Sequence, residues 1–186
     1  IKKLISNRTI FNVNIICGSY LPEWRPNRDY KETSSASKKS GGGVLLDLSH
    51  ELNYTQWLFG KISLDYVYNN KISNLKIKSD DILLINGHTQ SGARLQVNLN
   101  YFSLIASREI TIDGEDLFIK ADLINNKINM KIDGQERKIQ LKNNSPNKIY
   151  EDEHRAIISG DSDYGCTYSE GLKTMDLIEE IRKWPN

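Results

Sequence analysis

Hydrophobic and polar residues alternate along much of the chain, with the period of two that is typical of β-strands with one buried face. The first such segment, 9–17, is rich in β-branched and aromatic residues and ends at Gly18. Later segments are separated by turn dipeptides, of which Asp113-Gly114 and Asp133-Gly134 are strong hairpin signals. The pattern therefore predicts further, mostly antiparallel strands at 61–68, 72–77, 81–86, 93–102, 107–113, 116–123, 126–133 and 135–141.

A different period governs residues 44–60, where hydrophobic positions recur with the spacing of about 3.6 residues that an α-helix requires. We predict one helix here, with Gly60 as its carboxyl-terminal cap. The predicted buried face consists of Leu45, Leu48, Leu52 and Phe59. The opposite face carries a polar stripe of Asp47, His50 and Tyr54, whose side chains are neighbours on a helix surface.

Helical signals return at the carboxyl end of the chain. Ser145-Pro146 favours a helix start, and Thr167-x-x-Glu170 fits a capping box that begins a last helix. The connection at 18–43 is long and polar, and its first half is rich in aromatic residues and arginines. Loops of this length are more often functional segments than simple connectors, so we expect this one to contribute to a binding site.

These elements predict an α+β fold with a large, mostly antiparallel, open-faced sheet and helices packed on one face. Alternating apolar positions such as Val97, Leu99, Ile110 and Ile112 are typical of such a sheet. We expect residues 1–186 to form one domain. The opening segment from Ile1 to Ile5 resembles the end of a helix, so a preceding segment is expected as well.

Composition narrows the range of partners. Among 186 residues, 25 Lys and Arg nearly balance 24 Asp and Glu, so no basic excess favours nucleic acid or an anionic membrane surface. No apolar run is long enough to cross a bilayer, so we expect no membrane partner and a cytoplasmic protein. Cys17 and Cys166 lie in unrelated contexts and are predicted to be free thiols.

The polar stripe of the predicted helix is the sharpest chemical signal in the sequence. An imidazole titrates near neutral pH and a carboxylate can orient it, so His50 beside Asp47 suits acid–base catalysis. The alternative is an exposed histidine in an ordinary helical ion pair. The segment His50-Glu51-x-x-Tyr54 also has the spacing of a zinc motif, but tyrosine replaces the second histidine, which disfavours zinc.

Several motifs in order resemble the Gfo/Idh/MocA family of NAD(P)-dependent oxidoreductases. The family pattern of paired glycines, an aspartate, a histidine and a helix ending Trp-Leu-x-Gly is matched here by Gly41, Gly42, Gly43, Asp47, His50, Trp57, Leu58 and Gly60. The upstream segment from Cys17 to Tyr30 is similar to a subset of the family associated with surface-polysaccharide and sugar-nucleotide pathways. Further similarity lies in the segment from Arg108 to Gly114 and in Glu170-Gly171-Leu172.

The resemblance implies the carboxyl-terminal, dihydrodipicolinate-reductase-like domain of a two-domain enzyme whose Rossmann domain is absent from this sequence. NAD or NADP would be the cofactor of the whole protein, with none bound to this chain. His50 would be the catalytic base, or would share this role with a family lysine that is absent from this sequence, and Asp47 would orient it. A sugar or sugar nucleotide would be held by Tyr20, Trp24, Arg25, Arg28 and Tyr30, with the arginines pairing with phosphate or carboxylate. The open sheet face would form a homo-oligomer.

One departure from the family pattern leaves the partner of His50 open. The family spaces its aspartate four residues before the histidine, whereas Asp47 and His50 are three apart, and an alignment on Asp47 places Glu51 at the histidine position. Either Asp47 or Glu51 can therefore be the partner. Two other functions also remain open, a non-catalytic carbohydrate-binding or dimerisation module and metal-dependent hydrolysis through Asp47, His50 and Glu51.

Overall fold

A computed structural model describes residues 1–141, 146–160 and 165–185 of the chain. The helices are α1 (Lys2–Ile5), α2 (Val44–Asp47), α3 (Ser49–Phe59), α4 (Pro146–Ser159) and α5 (Tyr168–Arg182). The strands are β1 (Ile10–Gly18), β2 (Ile62–Asn70), β3 (Ile82–Thr89), β4 (Arg94–Asn100), β5 (Ser107–Gly114), β6 (Leu117–Asp122), β7 (Lys127–Ile132) and β8 (Gln135–Gln140).

The strands form one eight-stranded sheet in the order β2-β3-β4-β1-β5-β6-β7-β8. Every neighbouring pair is antiparallel except β1 and β4, which run parallel. In β1, Val13, Ile15 and Cys17 are buried, whereas Asn12, Asn14 and Ile16 lie on the other face. The strands therefore have one face toward the core and one open face, and the predicted α+β class is confirmed.

The buried face of the sheet packs against α2, α3 and α5. The helices contribute apolar residues at the positions that the helical period predicts, and all of them lie in one cluster with the strand residues. Burying a side chain of this size contributes roughly 1.5–3 kcal/mol each. The helix residues in this cluster are Val44, Leu45, Leu48, Leu52, Phe59, Leu177, Ile178 and Ile181.

The predicted helix over 44–60 is interrupted at Leu48. The backbone of Leu48 has φ −105° and ψ 19°, outside the helical region, so α2 ends at Asp47 and α3 begins at Ser49. Leu48 remains buried, and its carbonyl accepts a 3.0 Å hydrogen bond from the Glu51 amide at the new helix start. The break separates Asp47 from the stripe that a continuous helix would have formed.

The prediction of a strand at 72–77 is wrong, because a buried carboxylate accepts hydrogen bonds from backbone amides of this segment. Asp81 accepts hydrogen bonds from the amides of Ile72 (2.8 Å) and Ser73 (3.0 Å), which fixes the connection between β2 and β3 as a loop. That loop packs on the segment 18–43, where the Lys78 amide donates to the Ala36 carbonyl at 2.8 Å. A local pattern of apolar residues carries no information about such a distant acceptor.

The connection 18–43 forms neither a long strand nor a long helix, but it packs against the core. It contains four single-turn 3-10 helices and buries Leu21 and Ala36 in the core. The chain packs so closely that a Cβ atom at Gly42 would lie 1.9 Å from the Ser34 carbonyl oxygen. Gly42 therefore permits a backbone approach that no other residue allows.

Several turn and cap predictions are confirmed. Asp133 and Gly134 both have positive φ in the β7–β8 hairpin, whereas the β5–β6 turn has its positive φ at Asp116, slightly later than the predicted Asp113-Gly114. The capping box of Thr167 and Glu170 begins α5, and α4 begins at Pro146, while Ser145 lies outside the described residues. Within the described ranges, no helix combines the length and apolar character that crossing a bilayer requires.

Candidate active site

Three elements meet at the carboxyl-terminal end of β1. The register of the sheet places Cys17 near the end of β1 directly opposite Arg108 near the start of β5. Arg108 therefore lies on the core face, where α3 crosses the sheet with Glu51 in its first turn. The sheet register and the helix break at Leu48 together bring the first turn of α3 onto this strand end.

Glu51 is fully buried and is the centre of a polar cluster. Its Oε1 atom lies 2.7 Å from Arg108 Nη2 and 3.0 Å from His50 Nε2. Its Oε2 atom accepts a 2.6 Å hydrogen bond from the Tyr54 hydroxyl, one turn further along α3. We call these four residues, Glu51, His50, Tyr54 and Arg108, the Glu51 cluster.

The contact between Oε1 and Arg108 is an ion pair, and neither contact at Oε1 has the alignment of a linear hydrogen bond. The Arg108 Nε atom is likewise buried without a hydrogen-bond partner among the described residues. The Arg108 guanidinium also faces the Tyr54 ring, with Cζ 6.0 Å from the ring centroid. Charge attraction and packing therefore both hold Arg108 against the cluster.

The surroundings of Glu51 favour its charged form. Burial pushes the pKa of the carboxyl upward, but the close contact with His50, the hydrogen bond from Tyr54 and the charge of Arg108 outweigh it, so the pKa is lowered. The same burial, together with the anionic Glu51, raises the pKa of the Tyr54 hydroxyl and raises that of the neighbouring Cys17 thiol to about 11. The cluster is thus built around a carboxylate, with Tyr54 and Cys17 neutral.

The imidazole of His50 is accessible while its carboxylate partner is not. The His50 side chain is 52% exposed, and its Nε2 faces Glu51. Asp47 does not contact it within the described structure; instead Asp47 accepts a 2.6 Å hydrogen bond from the hydroxyl of Tyr101. The break at Leu48 thus directs Asp47 toward Tyr101, and the carboxylate that His50 faces in the described structure is Glu51. The catalytic role of Asp47 stays a prediction.

The predicted substrate residues of the loop divide into two groups. Trp24 donates to Ser19 Oγ at 2.8 Å and meets Tyr101 edge to face at 5.2 Å, and the Tyr30 hydroxyl accepts from the Lys76 amide. With Tyr20, these aromatic residues pack partly against the core. The side chains of Arg25 and Arg28 are exposed and form no ion pair within the described residues.

One chain of contacts links the loop to Asp47, in the segment just before the helix that carries His50. Trp24 touches Tyr101, and Tyr101 holds Asp47, which lies three residues before His50. The small depression between Trp24, Arg25, Arg28 and Tyr30 has a volume of about 10 Å³, barely the room of one water molecule. The two arginines therefore offer a surface for a ligand and not an enclosed pocket.

A separate cavity lies between α3 and α5. It measures about 770 Å³ and includes Tyr54 and Trp57 in its wall, but not His50. The ring of Trp57 is covered by Lys2, whose Nζ lies 4.1 Å from the ring centroid. Tyr54 is thus shared between the wall of this cavity and the Glu51 cluster.

Neither a metal nor a dinucleotide fits the described residues alone. In the described ranges, no group of three His, Cys, Asp or Glu side chains could hold a metal ion. A dinucleotide needs a glycine-rich turn joining a strand to a helix, and the sequence contains no G-x-G-x-x-G. The parallel strands β1 and β4 are joined through two further strands, so they do not form the required unit.

The sequence analysis missed the roles of Arg108 and Tyr101. Arg108 entered the sequence analysis only as the start of a segment similar to the family. It lies two positions before Ile110, on the core face of an alternating strand. A charged residue at such a position indicates a buried partner. Tyr101 continues the alternating apolar positions of β4, and its hydroxyl requires a partner because the ring is buried. Alternation could have identified both residues, but not their partners.

The comparisons with known proteins agree with this architecture. Residues 2–183 match the family described as Oxidoreductase family, C-terminal alpha/beta domain, also named GFO_IDH_MocA_C. The chain therefore belongs to this family. No curated protein matches the sequence.

Solved oxidoreductases share the fold at low sequence identity. UDP-N-acetylglucosamine 3-dehydrogenase GnnA from Acidithiobacillus ferrooxidans is 14% identical with a TM-score of 0.71, over 97% of this chain and 55% of that one. The WlbA dehydrogenase from Bordetella pertussis, in complex with NADH and UDP-GlcNAcA, is 19% identical with a TM-score of 0.72, over 98% and 57%. An oxidoreductase from Thermotoga maritima is 20% identical with a TM-score of 0.72, over 98% and 55%. The chain thus spans little more than half of each.

Proposed function

We propose that this chain is the substrate-binding domain of an NAD(P)-dependent oxidoreductase that acts on the hydroxyl or keto group of a sugar or sugar nucleotide. The observation that carries the proposal is an accessible imidazole, His50, backed by a buried and charged carboxylate, Glu51. An accessible imidazole can act as a general base, and a neighbouring carboxylate can orient it. Family membership and the sugar-nucleotide dehydrogenases among the solved structures support the choice of reaction.

The proposed chemistry divides between this chain and a second domain. Oxidation of a sugar hydroxyl to a ketone releases a hydride and a proton, and we assign the proton to His50. Because the described residues do not fit a dinucleotide, NAD or NADP has to be held by a Rossmann domain outside them. In the reverse direction His50 returns the proton to the oxygen. A cytoplasmic location, which suits the two free thiols, belongs to the same proposal.

The loop 18–43 is proposed to select the substrate. The exposed and unpaired guanidinium groups of Arg25 and Arg28 can bind the phosphates of a sugar nucleotide. Trp24 and Tyr30 have structural contacts of their own, so their contribution is to fix the shape of the loop and present their exposed edges to the sugar. Tyr20 supports the same segment against the core.

Turnover and binding assays test the proposed function. The chain is expressed together with the coding region that precedes it, and reduction of NAD and NADP is followed across a panel of nucleotide sugars and free sugars. We expect turnover with nucleotide sugars, and Arg25→Gln/Arg28→Gln should weaken their binding at least about tenfold, since charge-assisted contacts to phosphate contribute about 1.5–3 kcal/mol each. Sugar binding without reduction of either cofactor would instead favour the non-catalytic module.

We further propose that the open sheet face joins two copies of the chain. This face carries polar residues and partly exposed apolar residues, among them Ile16, Tyr66 and Phe118. The Ile16→Lys variant should shift the assembly to a smaller mass in light scattering, because it places a charge in the proposed interface. The control is Ile124→Lys, which changes an isoleucine of similar exposure in the β6–β7 turn (47% against 38%). Equal masses for Ile16→Lys and the unmodified chain would contradict the proposed interface.

A further inference from the structure

We propose that Glu51 is a positioning residue which fixes the nitrogen of His50 that receives the substrate proton, and that this nitrogen is Nδ1. The inference rests on the proposed function for its catalytic meaning. Its structural content, the orientation and tautomer of one imidazole, can be measured on this chain without any substrate.

The tautomer follows from what each group can donate and accept. An ionised carboxylate has only acceptor atoms, and His50 Nε2 lies 3.0 Å from Glu51 Oε1. In a neutral imidazole one nitrogen carries the hydrogen and the other carries the lone pair. A lone pair on the nitrogen facing Glu51 would be repelled by the anionic oxygen at this distance, although the contact is not a linear hydrogen bond. That nitrogen must therefore be the protonated one, which leaves the lone pair on Nδ1.

Glu51 can impose this tautomer because it has little freedom to move. Arg108 from β5 and Tyr54 from α3 contact different oxygens of the carboxylate, so its orientation is fixed from two elements. Its place in the first turn of α3 also favours a negative charge. The remaining titratable neighbour, Cys17 on β1, stays neutral. Since Glu51 is fully buried, it acts on substrate only through His50.

The hydrogen bond between Asp47 and Tyr101 strengthens this assignment, because it directs Asp47 away from His50. Its carboxylate accepts from Tyr101, which supports the loop through Trp24. Within the described structure, Glu51 is thus the carboxylate that contacts His50. Glu51 therefore orients the imidazole, whereas Asp47 supports the loop through Tyr101.

Nitrogen-15 NMR of the 186-residue chain tests the proposal directly. Spectra are recorded at mildly alkaline pH, where an ordinary imidazole is neutral and protonated and unprotonated ring nitrogens have distinct shifts. The His50→Gln spectrum assigns the His50 signals among the three histidines. We expect a single tautomer with hydrogen on Nε2. A His50 ring that carries its hydrogen on Nδ1, or that averages both tautomers, would overturn the proposal without any variant of Glu51.

The Glu51→Gln variant then tests the cause. A glutamine amide can donate as well as accept, so both tautomers of His50 should become populated. The matched control is Glu115→Gln, which removes the same charge just after the end of β5, roughly 20 Å along the strand from Arg108. Circular dichroism establishes that both variants are folded, and should Glu51→Gln not fold, the tautomer in the unmodified chain still decides the matter.

Kinetics separates this inference from the proposed function. In the active enzyme, Glu51→Gln should lower kcat at least about tenfold with little change in KM, as expected for loss of an orienting carboxylate. An Nε2–H tautomer in a protein without any dehydrogenase activity would overturn the proposed function but leave the positioning role. An active enzyme whose Glu51→Gln variant keeps the tautomer and kcat would overturn the positioning role alone.

Discussion

Replacing His50 with alanine is expected to lower the turnover of the active enzyme by about 10²-fold to 10⁴-fold, the usual contribution of a general base. The side chain is the accessible member of the Glu51 cluster, so its loss removes the proton acceptor and leaves the buried carboxylate in place. KM for the sugar should change much less than kcat, because the loop arginines do not depend on His50. Steady-state kinetics with a nucleotide sugar and NAD or NADP measures both constants.

The chain offers a matched control for this experiment in His88. Its Nδ1 also lies near a carboxylate, 3.3 Å from Asp65 Oδ1, and its side chain is similarly exposed. The register with Arg94 places His88 on the open sheet face, away from the Glu51 cluster. His88→Ala should keep the turnover of the unmodified enzyme, with light scattering used to confirm an unchanged assembly. If both histidine variants are equally active, His50 is not the base.

The sheet and the packed helices could be predicted because their signals are local. Alternation in β1 places Val13 and Ile15 on one face whatever strands lie beside it, and the same holds for Ile110 and Ile112 in β5. The class of the fold and the buried side of the helices follow from these periods. The parallel pairing of β1 with β4 has no local signal in the sequence, because the two strands are far apart along the chain.

The candidate site was only half predictable for the same reason. The sequence identified His50 from the residue types in one short segment, but the identity of its partner depended on a helix break at Leu48. Apolar periodicity cannot distinguish a continuous helix from two helices that share the same buried residues. Arg108 reaches Glu51 only because β5 pairs with β1 in one particular register, and no local pattern specifies that register.

Replacing Arg108 with methionine is expected to destabilise the domain by about 3 kcal/mol at neutral pH. Removing one member of a buried ion pair leaves the other charge uncompensated, which costs about 3–5 kcal/mol, and the 37% exposure of Arg108 places this pair at the lower end. Methionine keeps much of the apolar stem and removes the guanidinium that faces Tyr54, so the effect reports mainly the loss of the charged group. Urea unfolding followed by circular dichroism measures the difference.

The pH dependence of this loss distinguishes an unpaired carboxylate from a packing defect. In the unmodified chain the pKa of Glu51 is lowered, so its contribution is present above its unfolded pKa and is lost as pH falls through the folded value. Without Arg108, burial opposes the charge with less compensation, so the folded pKa of Glu51 should rise. The penalty should then be largest near neutral pH and shrink toward about pH 4, where the buried carboxyl can accept a proton.

Two further variants make this prediction specific to the Glu51 cluster. Arg94→Met breaks the ion pair between Arg94 Nη1 and Asp65 Oδ2 (2.9 Å), in which Arg94 is 61% exposed, and should cost no more than about 1 kcal/mol. Adding Glu51→Gln to Arg108→Met removes the uncompensated charge and should restore part of the lost stability. Two outcomes would mean that Arg108 does not hold Glu51 in its charged form. One is a loss of stability for Arg108→Met that is no larger than the loss for Arg94→Met. The other is a loss for Arg108→Met that is the same at neutral pH and at about pH 4. His50 would then depend on some other contact for its orientation.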